Sequence, residues 1–142
     1  MTGLVLTAID VAHAESQASV LKRAQQLAKL DGSKLAVMTV IPDFGMSIVG
    51  SFFEENAEHH ALELAQERLH DFVKSTLGSD TGVQHVIEHG NVYEKVLAMA
   101  LQLEATLIVV GAHKPNLQDY LLGPNAARIV RHSTCSVYVV RD

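Results

Sequence analysis

Four short apolar runs and one run of alternating polar and apolar residues recur along this chain, and they alternate with segments whose apolar residues fall at helical spacing. Two of these runs, KLAVMTVI in Lys34–Ile41 and LIVV in residues 107–110, are too apolar to have a solvated face. Continuous apolar strands are typical of parallel sheets, which helices cover on both faces. Because crossovers between parallel strands are right-handed almost without exception, the alternation predicts a doubly wound α/β domain with a parallel sheet.

The boundaries of the predicted elements follow from apolar runs, glycines and prolines. The predicted strands are residues 4–9, Lys34–Ile41, 83–88, 107–110 and Ser136–Val140. The predicted helices begin near Ser16, Glu54, Asn91 and Pro124, and the first two end at Asp31 and Leu77. Residues 83–88 alternate between polar and apolar more than the other strands do, which indicates an edge strand.

Residues 43–53, DFGMSIVGSFF, are predicted to form a loop that is rich in apolar side chains. Connections of this length usually either carry a function or lack order. We expect this loop either to pack against a neighbouring helix or to act as a lid or as a contact for a protein partner.

Composition and charge limit the classes of partner. The 142 residues predict a single domain over residues 1–142, with 48% hydrophobic residues. The formal net charge of −5 disfavours nucleic acid and anionic membranes as partners, since both need a basic surface. The sequence begins without the pattern of a signal peptide, and no apolar run is long enough to span a bilayer. With Cys135 as the single cysteine, we expect a reducing, cytoplasmic location.

Ligands of open parallel sheets bind beyond the carboxyl ends of the strands, where the strand order reverses. Asp10 follows the first strand and suits a ribose hydroxyl; the alternative role of this carboxylate is to cap a helix or to accept a hydrogen bond at the strand end. The helix that begins at Gly123-Pro124 offers free N–H groups and a positive dipole end, which together favour an anion. The other candidates at this edge are Ile9, His13, Val40, Ile41, residues 111–114 and Asn125.

Several segments resemble the universal stress protein family. They are IVVG from Ile108, LLGPNA from Leu121, a helix ending in RH, the last strand CSVYVVR, a first strand ending in AID and a second ending in TVIP. Lys114-Pro115 is similar to the bacterial branch in which a basic residue and a proline replace repeated glycines. The resemblance covers essentially the whole chain.

This resemblance implies a flavodoxin-like sandwich with strand order 3-2-1-4-5 and helices on both faces. It also implies ATP or another adenine nucleotide, with or without Mg²⁺, between the first and fourth strands. The last strand would form a homodimer through Val137, Tyr138, Val139 and Val140. The nucleotide-binding residues that the resemblance implies are Ile9, Asp10, Val40, Gly111, Ala112, His113, Lys114, Gly123, Pro124 and Asn125.

Three departures from the family's nucleotide-binding pattern concern the phosphate. In that pattern two residues separate the first glycine from the second, nine separate the second from the third, and a serine or threonine follows. Here Lys114 occupies the position of the second glycine, eight residues separate it from Gly123, and Pro124 replaces the serine or threonine. Proline fits the first helical position because its φ angle is already helical. In place of serine or threonine, however, it removes one amide donor and one hydroxyl. Hydrogen bonds to charged groups are worth roughly 1.5–3 kcal/mol each, so the loss of two weakens binding by about two to four decades. We therefore predict weakened or altered nucleotide binding.

The remaining polar residues do not predict a metal site or a catalytic site. The chain has eight histidines, of which His59, His60 and His70 are placed on the solvated face of a helix, and His85 and His89 on a strand without the geometry of a helical pair. We expect no metal site, and we expect at most slow ATP hydrolysis because no general base other than Asp10 is evident. The alternative function is a nucleotide-free dimer that binds a protein partner through residues 43–53.

Overall fold

The computed structural model of this chain describes residues 3–41, 48–112 and 124–141. Five strands form one sheet in the order β3-β2-β1-β4-β5, and each neighbouring pair is parallel. The doubly wound sheet and its order 3-2-1-4-5 are therefore confirmed. The strands are β1 (Leu4–Ala8), β2 (Lys34–Ile41), β3 (Val83–His89), β4 (Leu107–Gly111) and β5 (Ser136–Val140).

Four α-helices connect the strands. They are α1 (Ala18–Asp31), which a 3-10 segment at Val11–Gln17 precedes, α2 (Ile48–Leu77), α3 (Val92–Gln102) and α4 (Pro124–His132). Within the described ranges, no helix combines the length and the apolar character that crossing a membrane requires.

The start of α2 corrects the predicted loop at residues 43–53. Residues 48–53 are helical, so the helix begins six residues before the predicted Glu54, and residues 43–47 lie outside the described part of the chain. Extending an existing helix adds a hydrogen bond per residue without a new nucleus, whereas one internal glycine costs about 1 kcal/mol relative to alanine. The glycine at position 50 therefore does not end the helix.

Each strand contributes alternate residues to two apolar layers, one on each face of the sheet. The first layer joins β1, β2 and β4 to α1 and α2, and its centre includes Val5, Leu21, Val37, Leu69 and Val109. The second layer joins the same strands to α3 and α4, and it includes Leu6, Met38, Val96, Ile108 and Ile129. The three central strands are thus buried on both faces, as their continuous apolar sequences predict.

Helical spacing in the sequence predicts that Leu101 and Val130 belong to the apolar stripes of their helices, but both residues are exposed. Leu101 of α3 is 65% exposed and Val130 of α4 is 45% exposed, whereas Met99 is 7% exposed. Short helices present only a narrow stripe to the sheet, so one residue at the margin of the predicted stripe faces solvent. The prediction of β3 as an edge strand is confirmed by its terminal place in the sheet.

Helix α1 crosses the end of β4 so closely that Gly111 has no room for a side chain. A Cβ atom built on Gly111 would lie 2.8 Å from Cγ2 of Val20. Val20 is 3% exposed, and its β-branched side chain has few alternative rotamers. The glycine after the apolar run is therefore required by the packing of α1 on β4.

We predict that Gly111→Ala lowers the free energy of unfolding by about 1–3 kcal/mol, because the added methyl group forces Val20 or the backbone to move. Urea unfolding followed by circular dichroism measures the change. The double variant Gly111→Ala/Val20→Ala removes the clash, so its loss should be smaller than the sum of the two single losses. Additive losses would show that Val20 is not the obstacle.

Candidate functional site

A cleft of about 200 Å³ lies beyond the carboxyl ends of β1 and β4, where the strand order of the sheet reverses. Its walls come from the ends of β1, β2 and β4, from the 3-10 segment, and from the first turns of α3 and α4. The lining residues are Ala8, Ile9, Asp10, Gln17, Val40, Val92, Val110, Gly111, Asn125, Ala126 and Ile129. A mostly apolar wall with a few convergent polar groups is typical of a small-molecule site.

Asp10 has two hydrogen bonds within its own turn. Its Oδ1 accepts from the backbone N–H of Ala12 at 3.0 Å, and its Oδ2 lies 2.9 Å from Nδ1 of His13. The carboxylate therefore caps the 3-10 segment, which is the alternative role that the sequence left open. An ionised carboxylate has about four acceptor positions, so these two contacts leave acceptor capacity for a ligand. The Asp10 side chain is 58% exposed and lies at the mouth of the cleft.

Five of the residues implied by the family resemblance line the cleft: Ile9, Asp10, Val40, Gly111 and Asn125. The structure brings them together from β1, β2, β4 and α4, which are distant in sequence.

The remaining implied residues take other positions. Ala112 extends the pairing of β4 with β5, since its N–H donates to the carbonyl of Val140 at 2.9 Å. Pro124 is the first residue of α4. His113, Lys114 and Gly123 lie outside the described residues.

Two further sequence candidates do not line the cleft. The carbonyl oxygen of Ile41 accepts a hydrogen bond from the N–H of Gly90 at 2.9 Å, which ties the end of β2 to the segment that follows β3. His13 stands beside the cleft and contacts Asp10, so its position supports that carboxylate.

Sequence reasoning did not single out Gln17 and Val92 as site residues. Gln17 ends the 3-10 segment and Val92 begins α3, so each enters the cleft only because β1, β2 and β4 bring their following turns together. Val110 and Ile129 belong to the apolar core and form apolar walls of the cleft as well. The only available signal was their position next to a strand end or on the apolar stripe of a helix.

The electrostatics of the cleft come from one carboxylate and one helix end. Asp10 is the ionisable side chain among the described lining residues. On the opposite wall, Asn125 and Ala126 belong to the first turn of α4, whose N–H groups lack partners within the helix. The cleft therefore offers an acceptor on one side and a weakly positive region on the other.

Comparisons with known proteins agree on one family. The family model described as the universal stress protein family matches residues 1–141. Universal stress protein G of Salmonella typhimurium is 29% identical to this chain, and the match covers 96% of this chain and 97% of the relative.

Two solved structures show the same fold. Universal stress protein UspA from Lactobacillus plantarum has a TM-score of 0.72 at 23% identity, over 98% of this chain and 97% of its own. A universal stress protein in complex with cAMP has a TM-score of 0.65 at 20% identity, over 99% of this chain and 97% of its own. Both structures support the fold of this chain. The second is also a nucleotide complex of a protein with that fold.

Proposed function

This chain belongs to the universal stress protein family, and we propose that it acts as a regulatory module of the stress response that binds an adenine nucleotide in the cleft between β1 and β4. The observation that carries the proposal is the convergence of Asp10, Gly111 and Asn125 on one apolar cleft at the reversal of strand order. That a universal stress protein of the same fold is known in complex with cAMP supports a nucleotide as the ligand.

The size of the cleft favours a base and a ribose within the described walls. Its volume of about 200 Å³ is below the roughly 300–1,000 Å³ of a complete ligand pocket. Val40 and Ile129 supply the apolar surface that a base needs, and Asp10 supplies an acceptor for a ribose hydroxyl. The phosphates would then extend toward the first turn of α4.

The phosphate end of the proposed site is the weaker one. Pro124 occupies the first position of α4, so that residue has neither an N–H nor a hydroxyl to donate. The amides of Asn125 and Ala126 remain for the phosphate. We therefore propose that the base and ribose contribute most of the affinity, and that the affinity for ATP is reduced accordingly.

We predict that Asp10→Asn weakens binding of ATP by about ten- to hundredfold, because a hydrogen bond from ribose to a carboxylate is worth roughly 1.5–3 kcal/mol. Isothermal titration of nucleotide-stripped protein with ATP and Mg²⁺ measures the change. Asparagine is also a good N-cap, so the 3-10 segment is retained.

The matched control is Asp31→Asn at the end of α1, which removes the same charge at an exposed position that does not line the cleft. Its affinity for ATP should equal that of the native protein. If the native protein, Asp10→Asn and Asp31→Asn all bind ATP with the same affinity, Asp10 does not contribute to the site.

We predict that Pro124→Ser strengthens ATP binding by about two to four decades, because the substitution restores an amide and a hydroxyl for the phosphate. The same titration with adenosine separates the two ends of the site, since adenosine lacks the phosphate and should bind both proteins equally. If neither protein binds ATP or adenosine, the nucleotide proposal fails, and the alternative of a nucleotide-free interaction module becomes the working hypothesis.

We also propose that the protein forms a homodimer through β5, which is an edge of the sheet. Tyr138 is 39% exposed, and Val137, Val139 and Val140 are partly buried within one chain. An apolar edge strand with unpaired backbone groups favours pairing with a second chain.

We predict that Tyr138→Lys raises the dissociation constant of the dimer at least about tenfold, because an ammonium group at the centre of a paired edge must lose its hydration. Sedimentation velocity over a range of micromolar concentrations measures the constant. The control is Leu30→Lys, which places the same charge at a residue of α1 that is 80% exposed. A native protein that sediments as a monomer, or a dimer that Tyr138→Lys leaves unchanged, would overturn the proposal.

A further inference from the structure

A cluster of three side chains that can bind metal lies at the edge of the sheet, away from the nucleotide cleft. His70 comes from α2, Asp80 from the connection between α2 and β3, and His85 from β3. One nitrogen or oxygen atom from each lies within 4.8 Å of the other two. The sequence predicts His70 on the solvated face of a helix and His85 on a strand, so the cluster is a product of the tertiary structure.

The contacts within the cluster are close. Nδ1 of His70 lies 3.3 Å from Oδ2 of Asp80. The rings of His70 and His85 are stacked, with their centroids 3.8 Å apart and their planes inclined by 23°. The side chains of His70 and Asp80 are 40% and 34% exposed, so the cluster has access to solvent.

His85 has a buried ring nitrogen without a partner. Among the described residues, its Nε2 is the buried side-chain nitrogen or oxygen that has no hydrogen bond. A buried nitrogen without a partner destabilises the fold, because it loses its hydration and gains no hydrogen bond in return. A bound cation at this position would satisfy the nitrogen and explain why the structure tolerates it.

The connection between α2 and β3 holds the carboxylate in place. The N–H of Val83 donates to the carbonyl of Asp80 at 3.1 Å, which closes a tight turn. Within that turn Gly82 has φ of +77°, a conformation that side chains other than glycine rarely adopt. Ser79 Oγ also accepts from the N–H of Thr81 at 3.1 Å. Asp80 is therefore presented to His70 from a well-defined turn.

We propose that His70, Asp80 and His85 form a binding site for a divalent transition-metal ion, with zinc as the ion whose ligand preference the set fits. Two imidazoles and one carboxylate are a common set of protein ligands for zinc, and a water completes the tetrahedron. Bond lengths of about 2.0–2.1 Å place tetrahedral ligand atoms about 3.3–3.4 Å apart. The 3.3 Å between His70 and Asp80 already matches that spacing.

Binding requires a modest movement of the rings. The longest separation that the cluster allows, 4.8 Å, would shorten by about 1.5 Å to reach tetrahedral spacing. The stacked rings would also tilt apart, since nitrogen atoms that point at one ion spread the ring centres. The side chain of His70 is 40% exposed, so solvent lies beside the ring that has to rotate toward the ion.

The approach to the cluster is mainly acidic. A surface groove of about 620 Å³ runs along α2 to His70, and its acidic residues are Glu63, Glu67 and Asp71. Lys74, which is also on α2, is a positive charge near Asp80 and acts in the opposite direction. The three acids outnumber it, so the groove concentrates cations near the site.

We predict that the native, metal-stripped protein binds one zinc ion, and that His70→Ala, Asp80→Asn and His85→Asn each weaken this binding at least about tenfold. Loss of a partner that only orients a ligand already costs 10–100-fold, and loss of a ligand costs no less. Competition with a chromophoric chelator measures the affinity. At a hundredfold excess of zinc over its dissociation constant, the melting temperature of the native protein should rise by about 5–10 °C.

The matched control is His59→Ala. His59 lies on the same helix, and its Nε2 is 2.9 Å from Oε1 of Glu63, so this pair also offers an imidazole and a carboxylate. The native affinity for zinc should persist in this variant. If His59→Ala weakens zinc binding as much as His70→Ala does, the ion binds a surface pair on α2 and the proposed site is wrong.

A measurement on the native protein avoids any variant that fails to fold. Long-range ¹H–¹⁵N spectra report the ring nitrogens of all eight histidines. One equivalent of zinc should shift the ring ¹⁵N resonances of His70 and His85 and leave those of His13 and His132 in place. Absence of a shift at either His70 or His85 overturns the proposal. ATP binding in the cleft is a separate measurement, so the two sites succeed or fail independently.

Discussion

The pairing of β1 with β4 is the interaction on which the rest of this structure depends. Residues of β1 align with residues more than a hundred positions later, from Val5 with Leu107 to Thr7 with Val109. The buried hydroxyl of Thr7 adds a hydrogen bond to the carbonyl of Val109 at 2.9 Å. Closing so long a segment is entropically costly, and the burial of both strands on two faces compensates for it. This pairing creates the reversal of strand order, and with it the cleft.

Because of this pairing, two residues serve both the packing of the fold and the proposed binding site. Gly111 ends β4, leaves room for Val20 of α1 and forms part of the cleft wall. Asp10 caps the turn that leads into α1 and stands at the mouth of the same cleft. A change at either residue therefore acts on the fold and on the proposed nucleotide site together, which is why stability has to be measured beside affinity.

The two proposed sites differ in how the fold builds them. The cleft lies at the carboxyl ends of the central strands and collects residues from β1, β2, β4, the 3-10 segment, α3 and α4. The cluster of His70, Asp80 and His85 lies at the edge strand β3 and depends on α2 and a single tight turn. No described residue is common to both, so the structure allows nucleotide and metal binding to vary separately.

The sequence by itself determined the alternation of strands and helices, the edge character of β3 and the cleft residues Ile9, Asp10, Val40, Gly111 and Asn125. These features depend on local periodicity, on residues next to strand ends and on family motifs, all of which can be read along the chain. The nucleotide-binding role of every residue that the resemblance implies stays a prediction, and positions 113, 114 and 123 also lie outside the described residues.

Only the tertiary structure decided which marginal residues are buried and which side chains meet. Helical spacing could not tell that Leu101 and Val130 face solvent, because that depends on how much of each helix its neighbours cover. Gln17 and Val92 enter the cleft through turns that carry no motif. The orphaned nitrogen of His85, and its stacking on His70, arise from the packing of α2 on β3 across 15 residues of chain. Contacts of this kind are set by the positions of whole elements, which no local pattern encodes.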